Sequence, residues 1–334
     1  MTVRPAQWAA VGIGALAVIS FPLWTPNFYL LHIATLIGAY WVLIAGLNIV
    51  VGFAGALSIG HVGLLSIGAY GFAIIVGTYG FNPLLTLLAS GVLGAIAGFL
   101  LGLPSLRLPG FYFAMSTIAL AMIVGEWTLA LDGLTGGGAG LPVPPFNAPF
   151  NTPTGFYWLV VAIAGFVTWM TWNVARFMWG RALISMRDSE VAAASVGVPI
   201  ARMKLIVFTF SGLTAGVSGG LFASLQTYIT PETFVFELGL FFFICIIIGG
   251  RGRILGPFLG TVVLTALPEL VGPLAKLGSL FYGILLLTVV LLTPEGIGEL
   301  VGNAFERLRK RPLLKVSPPD LARLSAIMSR KRTD

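Results

Sequence analysis

Long apolar runs alternate with short polar or glycine-rich breaks along most of the chain. A helix needs about 20 mostly apolar residues to cross hydrocarbon, where its own backbone must satisfy every N–H and C=O. The pattern predicts ten such helices, at 8–24, 28–50, 57–77, 83–103, 109–131, 156–175, 204–226, 234–250, 256–272 and 278–293. The last three runs are short. The first follows a single positive charge, Arg4, and ends in SFPLWTP without a small-x-small cleavage site. It reads as a retained first helix rather than a secretory signal.

Three stretches fall outside the runs. Residues 132–155 are rich in Gly and Pro, have no apolar period, and read as an outer loop. Residues 176–203 hold most of the internal charge, and beyond Asn303 the chain is basic and partly amphipathic, suited to anionic lipid. With the N-terminus inside, Arg4, Arg107, Arg176, Arg181, Arg187, Arg202, Lys204, Arg251, Arg253 and the tail from Arg307 to Arg332 all fall on the inner side. Only Lys276 falls outside, and the reverse orientation would invert that bias. Eight spans would preserve the same parity. The expected fold is an all-α, polytopic integral membrane helical bundle of about ten transmembrane helices with both termini cytoplasmic. Its expected units are a transmembrane domain, 1–303, and a basic cytoplasmic tail, 304–334.

Composition narrows the chemistry. Hydrophobic residues make up 57% of the chain and charged ones 9%, against about a quarter charged in a soluble domain, so little mass lies outside the membrane. The net charge of +7 sits between apolar runs, where it encodes topology rather than a nucleic-acid surface. One cysteine, Cys245, and two histidines, His32 and His61, leave no intramolecular disulfide and no Cys-rich or polyhistidine metal centre. There is no G-x-S-x-G, H-E-x-x-H or P-loop; none of Lys204, Lys276, Lys310, Lys315 or Lys331 follows a glycine. No catalytic residue, metal or cofactor is expected. Glu126, Glu237 and Glu269 lie toward the outer ends of their spans, a poor arrangement for a mid-membrane proton relay.

A membrane pathway without an engine directs attention to RDSEVAAASVGVP, 187–199. Ser189 or Asp188 suits a helix N-cap, and Glu190 suits the positive end of the dipole. The alanines favour helix with little bulk, Gly197 suits a left-handed closing residue, and Pro199 prevents continuation. A two-turn helix over about 189–196 is predicted, with Val191, Ala194 and Val198 on one low apolar face. Such a helix fits a partner's groove. An ordinary helical surface linker would carry the same features.

The segment GRALISMRDSEVAAASVGVPIARMKLIVF resembles the inner loop of permease subunits in ATP-binding-cassette importers. In that superfamily an E-A-A…G loop forms the coupling helix that docks on the ATPase. Glu190, Ala192, Ala193 and Gly197 take matching positions, with Val191 intervening. Three further blocks resemble branched-chain amino acid permeases: GLNIVVGFAGALSIGHVGLLSIGAY (46–70), SLRLPGFYFAMSTIALAMIV (105–124) followed by LTGGGAGLPVP, and GGRGRILGPFLGT (249–261). The second is similar to the block that marks the M-type subunit. The chain departs from the pattern at Ala56, where glutamine is common, at Arg253, where a small hydroxyl residue is usual, and at Glu295.

This resemblance implies a heterodimer with a homologous sister permease, two cytoplasmic ATPase subunits and an external substrate-binding protein. The setting implied is the plasma (inner) membrane of a prokaryote, and the cargo Leu, Ile or Val. Relatives built alike carry urea, short amides or other amino acids. A self-sufficient secondary carrier and a non-transport membrane subunit are the alternatives of other classes. Arg187, Asp188, Ser189, Glu190, Ala192, Ala193 and Gly197 are the candidate coupling residues, with Ala193 expected to face the ATPase. Asn48, Ser58, His61 and Ser66 are candidate pathway residues, although interhelical bonds that only hold the bundle together would use the same side chains. Gly52, Ala56 and Gly60, four apart, are expected to form a helix-packing stripe. Arg251 and Arg253 anchor a turn on the inner side.

The topology has a direct test in the charge bias. A membrane-impermeant thiol reagent applied outside should label a cysteine at Gly137 and miss one at Ser189; the reverse pattern would sink the orientation.

Overall fold

The computed structural model describes residues 18–25, 27–108 and 110–271. Residues 18–24 are helical, and ten labelled helices follow. These are α1 (Phe28–Asn48, continued by a π-helical turn, Ile49–Phe53), α2 (His61–Gly77), α3 (Pro83–Gly102), α4 (Gly110–Ala130), α5 (Pro153–Arg176), α6 (Met178–Asp188), α7 (Glu190–Ser195), α8 (Ile200–Gln226), α9 (Phe236–Gly249) and α10 (Leu255–Val271). Local chemistry sets several starts. Asn27 accepts from the Tyr29 N–H and Asn82 from the Leu84 N–H, while Thr152 accepts from Gly155 ahead of α5. Pro83 and Pro153 occupy the first turn, where a missing N–H costs nothing.

Among the described residues six segments are long and apolar enough to cross a membrane: Phe28–Phe53, Pro83–Leu106, Gly110–Ala130, Pro153–Arg176, Ile200–Gln226 and Pro231–Gly249. His61–Gly77 and Leu255–Ala266 are apolar but shorter. The chain is therefore an all-α polytopic membrane protein. The expected span at 278–293, most of that at 8–24, Lys276 and the boundary of the basic tail lie outside the described residues.

The bundle is built on α8. Its glycines meet those of α3 at backbone level. A Cβ added at Gly212 would lie 2.2 Å from the Gly94 carbonyl oxygen, and one at Gly216 would lie 2.2 Å from that of Ser90. From the other side, a Cβ at Gly98 would come within 2.4 Å of the Phe208 oxygen. Helix α2 presses against a different face, where a Cβ at Gly219 would lie 2.2 Å from the Leu65 oxygen. Ser218 Oγ donates to the Ala39 carbonyl of α1 at 2.7 Å. Lipid tails are as apolar as leucine, so helix association in a membrane relies on this kind of close packing. Around it Tyr40, Phe222 and Phe242 stack from α1, α8 and α9, with centroids 5.8 and 5.1 Å from Tyr40.

Two expectations need correction. The predicted span 57–77 begins as helix only at His61, because residues 54–60 leave the helical path. Polar bonds hold them there: Thr117 Oγ1 accepts from the Ile59 and Gly60 N–H groups, both at 3.2 Å. Gly52, Ala56 and Gly60 consequently share no helix face, and the packing stripe falls to Gly94, Gly98, Gly212 and Gly216. The segment read as an outer loop holds a one-turn helix (Asp132–Thr135), a 3-10 turn (Gly137–Ala139) and one strand of a two-stranded antiparallel ribbon, β1 (Leu141–Pro142) with β2 (Tyr228–Ile229). The Val143 N–H donates to the Thr227 carbonyl at 2.8 Å, and the Tyr228 hydroxyl donates to the Ala139 carbonyl. Phe146 seats this cap between Phe72 and Phe156, with centroids 5.6 and 5.4 Å away.

Gly137 has φ +51 and no room for a Cβ, whereas Gly138 is open, so Gly138 is the better position for the outer cysteine label. Adding a side chain to the α3–α8 contact should cost about 1–3 kcal/mol through overpacking. Gly212→Val should thus lower the melting temperature of the detergent-solubilised protein. Gly125→Ala on α4, with nothing within 4 Å, should not. Equal melting of Gly212→Val and the parent would contradict the backbone contact.

Candidate functional site

Helix α7 starts where Ser189 leaves helical geometry, at φ −162° and ψ 113°, and accepts the Ala192 N–H on its Oγ at 3.2 Å. Ser189, not Asp188, is therefore the cap, and the helix proper runs from Glu190 to Ser195. It ends in a paired closure. The Val198 N–H donates to Ala193 at 3.1 Å and the Gly197 N–H to Ala194 at 3.0 Å, with Gly197 at φ +86°. A left-handed glycine followed by these two bonds satisfies the last carbonyls and ends the helix.

A helix this short rests one side on the bundle and shows the other. Val191 and Val196 are 82% and 77% exposed, and Ala192 and Ala194 are also exposed. Ala193 is 1% exposed and belongs to the chain's own core. The expectation that Ala193 faces outward is thus corrected, because its side chain supplies the contact that seats the helix. Val198 likewise is only half-exposed and packs inward, so the outer face is Val191, Ala192, Ala194 and Val196.

Both flanks of α7 are tied by cations. Upstream, Arg187 Nη1 donates to the Gly52 carbonyl at 3.0 Å, and its Nε lies 3.3 Å from Asp188 Oδ1. Downstream, Lys204 Nζ sits 2.7 Å from Glu190 Oε1 and donates to the Ser105 carbonyl at 3.2 Å. Asn48 Nδ2 donates to the Arg253 carbonyl at 2.7 Å, which joins the end of α1 to the α9–α10 turn. The breaks at 52, 105, 187–204 and 253 are thereby linked at one end of the bundle. The ribbon and the Val143–Thr227 bond link the breaks at the other. Every lysine and arginine among the described residues lies at the first end.

The four candidate pathway residues do not converge. Asn48 sits in the junction at the basic end just described, and Ser66 is buried on α2. Ser58 and His61 do come together: His61 Nδ1 hydrogen-bonds Ser58 Oγ at 2.7 Å and Nε2 hydrogen-bonds Ser211 Oγ of α8 at 2.8 Å. All four are buried inside the chain, and the Ser58–His61–Ser211 group fastens the non-helical segment 54–60 to α8. A buried imidazole with both nitrogens occupied holds helices together at low cost. Among the described residues no three His, Cys, Asp or Glu side chains group as metal ligands would.

Sequence reasoning missed Thr117 and Ser211 as partners, and Lys204 as the partner of Ser105, since each lies far along the chain from what it binds. The four-residue spacing of Gly212, Gly216 and Gly220 was a visible signal for the α8 contact.

The chain matches known proteins across the same region. The family model described as branched-chain amino acid transport system, permease component, matches residues 29–290. The high-affinity branched-chain amino acid transport system permease protein LivM of Salmonella typhimurium is 32% identical over 292 residues, covering 79% of this chain and 69% of that one. LivM of Escherichia coli K12 is similar to the same extent. The autoinducer 2 import system permease protein LsrC of Klebsiella pneumoniae is 28% identical over 186 residues, covering 52% and 51%. With the family matched over most of its length, the chain belongs to the permease components of branched-chain amino acid transport systems.

Proposed function

We propose that the chain is the membrane-spanning subunit of an ATP-driven importer and that its cargo is Leu, Ile or Val. The observation that carries the reading is α7: a short helix, stopped at both ends, whose outward face beyond the ion-paired Glu190 is small or aliphatic, at the basic end of the bundle. That form suits a cleft on an ATPase subunit, and low bulk permits close approach. Similarity to the two LivM proteins is higher and longer than to LsrC, which favours a branched-chain amino acid over other cargo.

In this reading the basic end is cytoplasmic, in the inner membrane of a prokaryote, by the positive-inside rule. Two ATPase subunits dock there, and an external binding protein delivers substrate at the ribbon end. A homologous sister permease supplies the other wall of the pathway, which opens alternately to each side. The sequence holds no P-loop; in this reading the free energy comes from ATP binding and hydrolysis on its partners, and the permease converts their motion into a change of access.

The purified chain should neither hydrolyse ATP nor concentrate substrate, and reconstitution with its partners in proteoliposomes should give both. Ala192→Trp puts a ring on the exposed face of α7, and Gly197→Val forces a β-branched residue into φ +86°, at about 1–3 kcal/mol of local strain. Each should leave insertion intact while abolishing ATPase association or leaving hydrolysis without uptake. Full coupled uptake in both variants would make α7 a linker. Calorimetry of the binding protein should register Leu, Ile and Val; binding of urea or an amide alone would change the cargo.

A further inference from the structure

The two cations beside α7 reach different parts of the bundle. Arg187 lies near the end of α6, and its guanidinium is wedged among glycines of two other segments. Nη1 donates to the Gly52 carbonyl in the π-turn that closes α1. The aliphatic stem lies flat on Gly55, where an added Cβ would come 2.4 Å from Arg187 Cγ. Nη1 also lies against Gly252 of the α9–α10 turn, 3.2 Å from where a Cβ would be. The Asn48–Arg253 bond closes this triangle. On the opposite flank Lys204, in the second turn of α8, joins Glu190 of α7 to the Ser105 carbonyl in the turn between α3 and α4.

The chemistry of each side chain matches its place. The last carbonyls of a helix carry partial negative charge and lack intrahelical donors, so a cation at Gly52 is favoured. Arginine has several donors in a flat fork that fits between two backbones, whereas a lysine ammonium can turn its three donors toward separate acceptors. Lys204 is 14% exposed, and Arg187, though 36% exposed, keeps Nη1 on the Gly52 carbonyl. Ala193 seats α7 between them.

We propose that Arg187 and Lys204 are positioning residues that divide a displacement of α7 between two groups of helices. Arg187 carries it to α1 and the α9–α10 turn, and Lys204 carries it to α8 and the α3–α4 turn. Arg187 is thereby assigned to transmission within the permease rather than to contact with the ATPase. The proposal rests on α7 being the ATPase-docking helix.

The test uses the whole importer in proteoliposomes and reads three quantities: ATPase retained on the permease, ATP hydrolysed, and substrate taken up per ATP. Losing a hydrogen bond made by a charged group, Arg187→Met or Lys204→Met should lower uptake per ATP roughly ten-fold or more, with the ATPase still bound. Lys204→Arg should restore coupling, and Arg187→Lys should restore part of it, because each keeps a cationic donor. A purely structural role would show as lower melting temperature with unchanged uptake per ATP in the surviving protein. Unchanged uptake per ATP in both methionine variants overturns the proposal. So does loss of the ATPase from Arg187→Met, which would make Arg187 a docking contact. If a methionine variant fails to fold, the conservative variants decide: full coupling in Arg187→Lys together with failed coupling in Lys204→Arg would contradict the assigned roles. Retained coupling in Ala192→Trp would instead count against the docking reading on which the proposal rests.

Discussion

The contact on which the rest depends is the one between the backbones of α3 and α8. Gly94 and Gly98 face Gly212 and Gly216 with no side chain between them, and Gly219 repeats the arrangement toward α2. In lipid, no hydrophobic gain drives two apolar helices together, so association depends on dispersion at short range. That attraction falls steeply with a gap of even half an ångström. A joint of this kind has no compliant side chains to take up a tilt. Helices α2, α3 and α8 are therefore expected to move as one block.

Helix α8 also runs the length of the bundle. Its second turn carries Lys204, bonded to α7, and its last residues lead directly into the ribbon that holds the cap at the opposite end. What happens to α7 at the basic end is thus mechanically continuous with the cap at the other. The remaining turns at the basic end enter through Arg187 and Asn48, at the point where α1 stops being α-helical. The break at 54–60 is part of the same plan. It removes the segment from regular helix and fixes it by Thr117, which takes the Ile59 and Gly60 N–H groups, and by the His61 bonds to Ser58 and Ser211.

Sequence reasoning reached the elements whose causes are local. Apolar run length located the main helices, and Ser189, Glu190, Gly197 and Pro199 located α7 with an error of one residue at each end. It failed where the cause lies elsewhere in the chain. Nothing near residues 54–60 announces that Thr117 will take their N–H groups. Nothing near Ala193 says which side of a two-turn helix will meet the bundle, because three consecutive alanines are alike until a neighbour packs against one. The ribbon in 132–155 was not legible because its order comes from Thr227–Ile229, more than eighty residues later, and from Phe146 filling a space between α2 and α5. The GxxxG spacing at Gly212, Gly216 and Gly220 is legible in the sequence, whereas the similar spacing at 52, 56 and 60 never forms one helix.

The claim that α2, α3 and α8 move as one block is tested most directly by a distance within this chain. In a Cys245→Ser background, spin labels would be placed at Ile206 on α8 and at Tyr79 in the turn after α2, both exposed. The distance would be measured in the reconstituted importer with and without ATP. The account predicts that this distance stays fixed while a label at Val191 changes its distance to the ATPase. A change between Ile206 and Tyr79 on ATP binding would mean that α8 slides against its glycine-lined neighbours, and the block would not exist.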